Sequence, residues 1–274
     1  FWPGEGIDKY KLIKYYLEVS SYMLPHLKDR FLVFQRFPEG INKNGFFQKN
    51  CPQGAPPWLK TVPFKHGREK VTNYILAAGP ETLTWLGNQA CLEIHQWLSS
   101  VNTLDNPDFA VVDLDPMEGI TFSQVCTIAL ALNNLLKQKG LRCYPKTSGS
   151  RGIQIYLPLH PVYSYELTRK FCEDVFKELY MLFPAITTLE RKVSARGPKI
   201  YLDYLQNAKG KTLVAPYSPR PLPGAPVSTP LEWKEVATAS LLPSSFGIKN
   251  ILPRLHERGD LFAPVLKDLQ RIIR

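Results

Sequence analysis

Cysteine is scarce and scattered in this chain of 274 residues. Its five cysteines are odd in number, widely separated and never spaced as Cys-x-x-Cys. This pattern argues against a disulfide framework and against a cysteine-rich zinc site, and it is typical of proteins from a reducing compartment. Because a chain of this length can bury a large hydrophobic core, it needs no covalent crosslinks to fold. We therefore predict a cytoplasmic protein.

Long apolar runs are also missing. The longest run, residues 126–136, is interrupted by Asn133 and Asn134 and is far shorter than the roughly 20 residues that span a bilayer. A membrane-spanning role is therefore not expected. The chain begins at Phe1 rather than Met and opens with no basic-then-apolar leader, so we expect further residues to precede it in the full gene product.

Acidic side chains are the minority, with 24 Asp and Glu against 34 Lys and Arg and a formal net charge of +10. The charge falls into blocks: residues 1–70 carry 12 basic and 6 acidic side chains, residues 71–140 carry 2 and 7, and residues 141–220 carry 13 and 6. Two basic blocks around an acidic one suggest a polyanionic partner, with carboxylates clustered where a metal ion could bind. A merely solubilising surface charge is the alternative.

Apolar periodicity predicts helices and strands in mixed order. The predicted helices are 10–24, 82–99, 123–139 and 165–182, and the predicted strands are 31–37, 110–114, 152–159 and 199–205. Ser123 is expected to cap the third helix and Gly140 to end it. Because regular βαβ spacing is absent, we predict an α+β fold with a mostly antiparallel or mixed central sheet flanked by helices.

A pair of aspartates stands at the end of one predicted strand, in the segment VVDLDP (residues 111–116). Asp113 and Asp115 are two residues apart and therefore project from the same face, and Pro116 is expected to end the ladder. Two carboxylates held that close require a cation. Oxygen ligands of this kind suit Mg²⁺ or Mn²⁺, and a carboxylate pair can hold two such ions against a triphosphate. A turn-initiating Asp pair is the structural alternative.

A loop rich in small residues, KTSGSRG (residues 146–152), precedes the next predicted strand. Its backbone N–H groups, hydroxyls and guanidinium make it a candidate phosphate-binding loop. It has neither the Walker A spacing nor the GxGxxG turn of dinucleotide-binding folds. A solvated hairpin loop is the alternative.

A third carboxylate, Asp203, lies on a predicted strand between apolar neighbours. An unpaired carboxylate would be costly to bury there. We expect either a metal ion shared with Asp113 and Asp115 or a nearby cation such as Lys209 or Arg220.

Taken in order, these motifs resemble the archaeo-eukaryotic primase superfamily, and most closely the polymerase domains of bacterial DNA ligase D and their stand-alone archaeal relatives. Further matching segments are FFQKN (46–50), LEIH (92–95), APYS (215–218) and PGAPVSTPL (223–231). The resemblance covers nearly the whole chain. It implies one primase-polymerase catalytic domain over residues 1–274, with a basic, DNA-contacting part at 1–70 and the catalytic core at 71–274.

The resemblance implies a role for each matching residue. It implies metal binding by Asp113, Asp115 and Asp203. The nucleotide contacts that it implies are Phe47, which would stack on the base, His95, Ser148, Arg151, Gln206 and Arg220. The implied DNA contacts are Lys9, placed for a 5′-phosphate, Arg36 and Lys49. The chain departs from the family at Arg151, where relatives usually carry Lys, and at Gln154, where they usually carry His, so an imidazole role is not carried over.

The resemblance further implies template-directed nucleotidyl transfer from NTP or dNTP, with two Mn²⁺ or Mg²⁺ ions, ribonucleotides accepted or preferred, and DNA ends filled or extended during non-homologous end joining. Implied partners are DNA ends or gaps with a 5′-phosphate, Ku, and a fused or separate DNA ligase, in the nucleoid and with no membrane. The alternatives are a replicative or plasmid-type primase, a DxD glycosyltransferase and a non-catalytic DNA-end-binding module. A glycosyltransferase would leave the basic blocks unexplained, and a silent binder would not need all three aspartates.

Overall fold

A computed structural model describes residues 1–67, 70–238 and 240–272 and divides the chain into two compact units. The first unit comprises Phe1–Asn102, Thr212–Ser228 and Phe246–Gly259, and the second comprises Thr103–Lys211, Thr229–Ser245 and Asp260–Arg274. The first unit thus continues well past residue 70. That both units act as one catalytic domain stays a prediction.

Helices and strands alternate irregularly along the chain. The helices are α1 (Lys9–Leu27), α2 (Pro80–Asn88), α3 (Phe122–Gln138), α4 (Tyr165–Leu182), α5 (Trp233–Val236) and α6 (Ile251–Arg258). The strands are β1 (Leu32–Arg36), β2 (Phe46–Gln48), β3 (Thr61–His66), β4 (Lys70–Ile75), β5 (Cys91–Trp97), β6 (Phe109–Pro116), β7 (Tyr144–Thr147), β8 (Ile153–Pro158), β9 (Thr187–Thr188), β10 (Ile200–Asp203) and β11 (Thr212–Val214). Within the described ranges, no helix is long and apolar enough to cross a membrane.

The first unit is built on an antiparallel sheet in the order β11–β5–β1–β2, with β3 and β4 forming a separate hairpin. Helix α1 begins where the side chain of Asp8 accepts the backbone N–H of Lys11. Its buried residues recur every three to four positions, and α1 packs against α2. This packing holds the sheet and its helices around one hydrophobic core.

One predicted helix, 82–99, is wrong over its second half. Helix α2 ends at Asn88, Ala90 takes a left-handed φ of +58°, and the chain then enters strand β5. Strand β5 pairs with β1 on one side and β11 on the other. Nearly all of its side chains are buried, on both faces of the sheet, and two-sided burial removes the polar–apolar alternation by which a strand is recognised. His95 therefore lies on a strand.

The second unit contains a sheet in the order β7–β8–β6–β10–β9, antiparallel except for the β10–β9 pair. Helices α3 and α4 pack on this unit's β6. The α+β class and the mixed sheet are confirmed.

Helix α3 is capped by Thr121, whose hydroxyl and the side chain of Gln124 form a capping box, so the prediction of Ser123 as the cap was wrong. Gly140 follows the helix with a φ of +73°, as predicted for its stop position.

Strand β6 runs further than its sequence suggests. Pro116 lies opposite Ile200 of β10, so proline does not end the ladder on that side. On the other side the pairing with β8 ends at Leu114, which lies opposite Ile153. Proline is tolerated at this position because the pairing with β8 has already ended, so its missing N–H removes no ladder hydrogen bond on that side. The strand therefore carries both Asp113 and Asp115 within its paired length.

Candidate functional site

Four polar side chains form one row across the sheet of the second unit. Lys146 of β7 lies opposite Gln154 of β8, Gln154 lies opposite Asp113 of β6, and Asp113 lies opposite Asp203 of β10. Residues directly opposite in neighbouring strands project from the same face. Asp115 is two residues beyond Asp113 and shares that face. The structure therefore brings the three predicted carboxylates to one surface of the sheet.

Asp113 is at the centre of this surface and is partly buried. Burial, followed by repulsion from the carboxylates of Asp203 and Asp115, raises the pKa of Asp113 to about 7, against opposing contributions from the Gln154 hydrogen bond and the Lys146 charge. Like charges directly opposite in a sheet destabilise it. Negative charge is therefore undercompensated at this point of the folded chain.

Asp115 faces two arginines. Its Oδ2 lies 3.7 Å from Nη1 of Arg196, and the Arg196 guanidinium lies 3.6 Å from the ring centroid of Tyr201. Burial raises the pKa of Asp115, although the charges of Arg151 and Arg196 act in the opposite direction, and Asp203 raises it further. Sequence reasoning missed Arg196, because nothing in the local pattern marks an arginine in a turn as a neighbour of an aspartate 81 positions earlier.

Asp203 ends strand β10 and is held by its own following turn. Its Oδ1 accepts the backbone N–H of Leu205 at 2.9 Å, and its Oδ2 accepts the side-chain amide of Gln206 at 3.0 Å. Asn207, fully buried, then binds both the N–H and the carbonyl of Val111 on β6. This side-chain bridge attaches the turn to the neighbouring strand, and it was not predicted from the sequence.

The donor set fits a hard divalent cation. Carboxylate oxygens are the ligands that Mg²⁺ and Mn²⁺ prefer, and the raised pKa values of Asp113 and Asp115 show negative charge that a cation would offset. Across the described ranges, no three His, Cys, Asp or Glu side chains already stand in a metal-holding arrangement. The carboxylates instead engage Gln154, Arg196 and Gln206. An ionised carboxylate has about four acceptor sites, so these contacts leave sites at which an ion can bind.

The predicted phosphate loop is the tight connection between β7 and β8. The hydroxyl oxygen of Ser148 accepts the backbone N–H groups of Ser150 and Gly152, and the N–H of Ser148 donates to the carbonyl of Gly152. A Cβ at Gly152 would collide with the backbone oxygen of Leu114, so only glycine fits beside β6. Arg151 is exposed, and its charge reaches Asp115.

A second polar cluster lies in the first unit. Glu93 of β5 is buried and lies against two basic side chains: Nε2 of His95 lies 2.5 Å from its Oε1, and Nε of Arg220 donates to its Oε2 at 2.8 Å. Burial alone would raise the pKa of Glu93, but the His95 and Arg220 contacts lower it overall. Phe47 is exposed and meets the His95 ring edge-on, with centroids 5.7 Å apart. Glu93 stands within the segment LEIH, yet its bridging role was not predicted.

The predicted DNA contacts have unequal surroundings. Lys9 is exposed in the first turn of α1, and Lys49 is exposed just after β2. Arg36 is only partly exposed: its guanidinium donates to the carbonyl and side chain of Gln89 and to the side chain of Gln48. Contact with nucleic acid stays a prediction for all three.

Comparison with known proteins gives a consistent result. The family described as LigD, primase-polymerase domain, matches residues 8–262. The chain is 39% identical over 252 residues to the bifunctional non-homologous end joining protein LigD of Bacillus subtilis, covering 92% of this chain and 40% of that protein. It is 35% identical over 269 residues to the multifunctional non-homologous end joining protein LigD of Mycolicibacterium smegmatis, covering 97% and 35%. The chain thus spans well under half the length of these relatives.

A solved structure is similar over nearly its whole length. The polymerase domain from Mycobacterium tuberculosis ligase D, in complex with DNA, matches with a TM-score of 0.90 and 30% sequence identity. The match covers 98% of this chain and 96% of that chain.

Proposed function

The chain belongs to the family of LigD primase-polymerase domains, and from this premise we propose that it is a template-directed nucleotidyl transferase that fills or extends DNA ends during non-homologous end joining. The observation that carries the proposal is the surface of three carboxylates on neighbouring strands β6 and β10. Such a surface is the donor set that a phosphoryl-transfer metal site needs.

The metal ligands in this proposal are Asp113, Asp115 and Asp203. When bound there, a pair of Mg²⁺ or Mn²⁺ ions would lower the pKa of a primer 3′-hydroxyl and neutralise charge on a nucleoside triphosphate. The chain's own contribution is to hold the carboxylates on rigid, hydrogen-bonded strands, which fixes their spacing before any ligand arrives.

Positive charge beside the carboxylates suits a triphosphate. We assign this role to Arg151, which is exposed on the β7–β8 loop and acts electrostatically on Asp115. Ser148 shapes the same loop by accepting two backbone N–H groups, and Gln206 is held against Asp203. The other nucleotide contacts implied by the resemblance, Phe47, His95 and Arg220, are in the first unit and stay predictions.

The proposed partner is a DNA end or gap with a 5′-phosphate. Its support is the net charge of +10, the exposed Lys9 at the start of α1, and the solved relative, which is a complex with DNA. The curated relatives are named as non-homologous end joining proteins, so Ku and a DNA ligase are the partners we propose, in the nucleoid. A preference for ribonucleotides is part of the same proposal.

Primer extension tests this function. A gapped duplex with a 5′-phosphate is incubated with the chain, Mn²⁺ and each NTP or dNTP in turn, over all four template bases. We expect addition of the complementary nucleotide, faster from NTP. Synthesis that starts without a primer would favour a primase, and binding without addition would favour a silent end-binding module. Transfer of sugar from a nucleotide sugar would favour a glycosyltransferase.

A further inference from the structure

A lysine is fully buried in the sheet that carries the carboxylates. Lys146 has no solvent-exposed surface, its Nζ lies 2.7 Å from Oε1 of Gln154, and its ammonium lies 5.7 Å from the ring centroid of Tyr156. An ammonium group taken out of water is costly unless polar partners offset the loss of hydration. Fold stability alone would be served as well by an apolar side chain of similar volume.

Gln154 connects this lysine to the metal surface. It is itself buried, and its Nε2 lies 3.3 Å from Oδ2 of Asp113. An ammonium group can only donate hydrogen bonds and an ionised carboxylate can only accept them. The amide between them therefore has one permitted orientation, with its oxygen toward Lys146 and its NH₂ toward Asp113.

We propose that Lys146 is a positioning residue for the metal site, which acts through Gln154 to fix the orientation of the Asp113 carboxylate by one of its two oxygens. This inference rests on the proposed function, because it takes Asp113 to be a metal ligand. The strand register supports it, since the three residues lie directly opposite one another on β7, β8 and β6.

The contacts from Lys146 through Gln154 to Asp113, here called the relay, restrict which side chains can function at position 154. The side chain must accept from Lys146 and donate to Asp113. A neutral imidazole, with one acceptor nitrogen and one N–H, meets that demand as an amide does, whereas an apolar side chain does not. Gln154→His should therefore regain most of what Gln154→Leu loses.

Titration with Mn²⁺ alone tests the relay without depending on activity. Binding is followed by loss of the free Mn²⁺ electron paramagnetic resonance signal, in the parent and in Lys146→Met, Gln154→Leu and the double variant. We expect each single variant to bind Mn²⁺ about 10- to 100-fold more weakly, the scale on which groups that orient a metal ligand act. The double variant should be little weaker than either single one, because both changes break the same chain. Lys170→Met, which alters an exposed lysine of the same unit, is the matched control.

The outcomes separate the inference from its premise. If the parent binds Mn²⁺ and Asp113→Asn weakens binding, while a folded Lys146→Met binds as the parent does, the inference fails and the proposed function stands. Additive losses in the double variant would also overturn it. If Asp113→Asn leaves Mn²⁺ binding unchanged, the proposed function fails and the inference with it.

Folding is checked first, by thermal unfolding. If Lys146→Met shows no cooperative transition, Lys146→Gln, which keeps a donor amide without the charge, replaces it in the cycle with the same expected non-additivity. Loss of folding in both variants, with Mn²⁺ present, would assign Lys146 to the stability of the sheet and overturn the positioning role.

Discussion

Removing the charge of Asp113 should stabilise the metal-free protein near neutral pH. The pKa of Asp113 rises from 3.8 to about 7 on folding, so between these pH values the folded chain binds a proton that the unfolded chain releases. The stability associated with protonated Asp113 is therefore fully present below the unfolded pKa and is lost as the pH rises through the folded pKa. An asparagine at this position is neutral at every pH and should show no such loss.

The magnitude follows from the two pKa values. They differ by about 3, and each tenfold step corresponds to about 1.4 kcal/mol, so ionising Asp113 costs the folded chain on the order of 4 kcal/mol at pH 8. Burial is the largest cause, and the carboxylates of Asp203 and Asp115 add to it. Mn²⁺ should reverse the cost, because a ligand that binds only the folded state stabilises it.

Urea unfolding in the presence of EDTA, from pH 4 to pH 8, measures this effect. The variants are Asp113→Asn and, as the control, Asp105→Asn, whose carboxylate in the same unit is 80% exposed. The advantage of Asp113→Asn over the parent should grow from near zero at pH 4 to on the order of 4 kcal/mol at pH 8, while the control follows the parent. Parallel pH profiles for Asp113→Asn and the parent would refute the reasoning.

Three further predictions concern ligand binding. Glu93→Gln removes the negative charge that holds His95 and Arg220, two of the predicted nucleotide contacts. The nucleotide KM should therefore rise about tenfold, the scale of a charge-assisted hydrogen bond, while kcat changes less. An unchanged KM would show that this cluster is purely structural. Lys9→Ala should weaken binding to a 5′-phosphorylated gap by about 1 to 3 kcal/mol and barely alter binding to a 5′-hydroxyl gap, and equal losses on both would contradict a phosphate-specific role. DNA affinity should fall linearly with salt on a log–log plot, with little sequence preference; a flat response would exclude binding through phosphates.

Local patterns in the sequence predicted much of the second unit. Helix α4 has the predicted bounds, and the two-residue spacing of Asp113 and Asp115 correctly placed them on one face of β6. These features depend on the chain's own periodicity and its capping and stop residues. A sequence pattern is informative where one face of an element is buried and the other is not.

Features made by distant residues could not be predicted in the same way. The sequence predicts helix over strand β5 because the strand is buried on both faces, which removes the alternation on which a strand prediction depends. The bridge from Glu93 to Arg220 joins positions 127 residues apart, and the bridge from Asn207 to Val111 joins positions 96 apart. Such contacts depend on strand order, which a local pattern does not contain.

The row from β7 to β10 illustrates the same limit. The sequence offered a metal shared by the three carboxylates as one reading, and the resemblance implied the same ligands. Nothing local to residues 146–152 indicated that Lys146 lies opposite Gln154, or Gln154 opposite Asp113. Register across antiparallel strands sets these neighbours. The structure shows that Gln154, which stands where the family usually has His, belongs to a continuous polar row across the sheet.

Nucleotide addition by Asp203→Ala tests the central claim most directly. The variant is compared with the parent and with Asp105→Ala on a 5′-phosphorylated gapped duplex in Mn²⁺, after thermal unfolding has shown that all three are folded. If Asp203 completes the metal surface with Asp113, Asp203→Ala should add no nucleotide, and adding Asp113→Ala to it should make no further difference. Substantial templated addition by folded Asp203→Ala would contradict the three-carboxylate site.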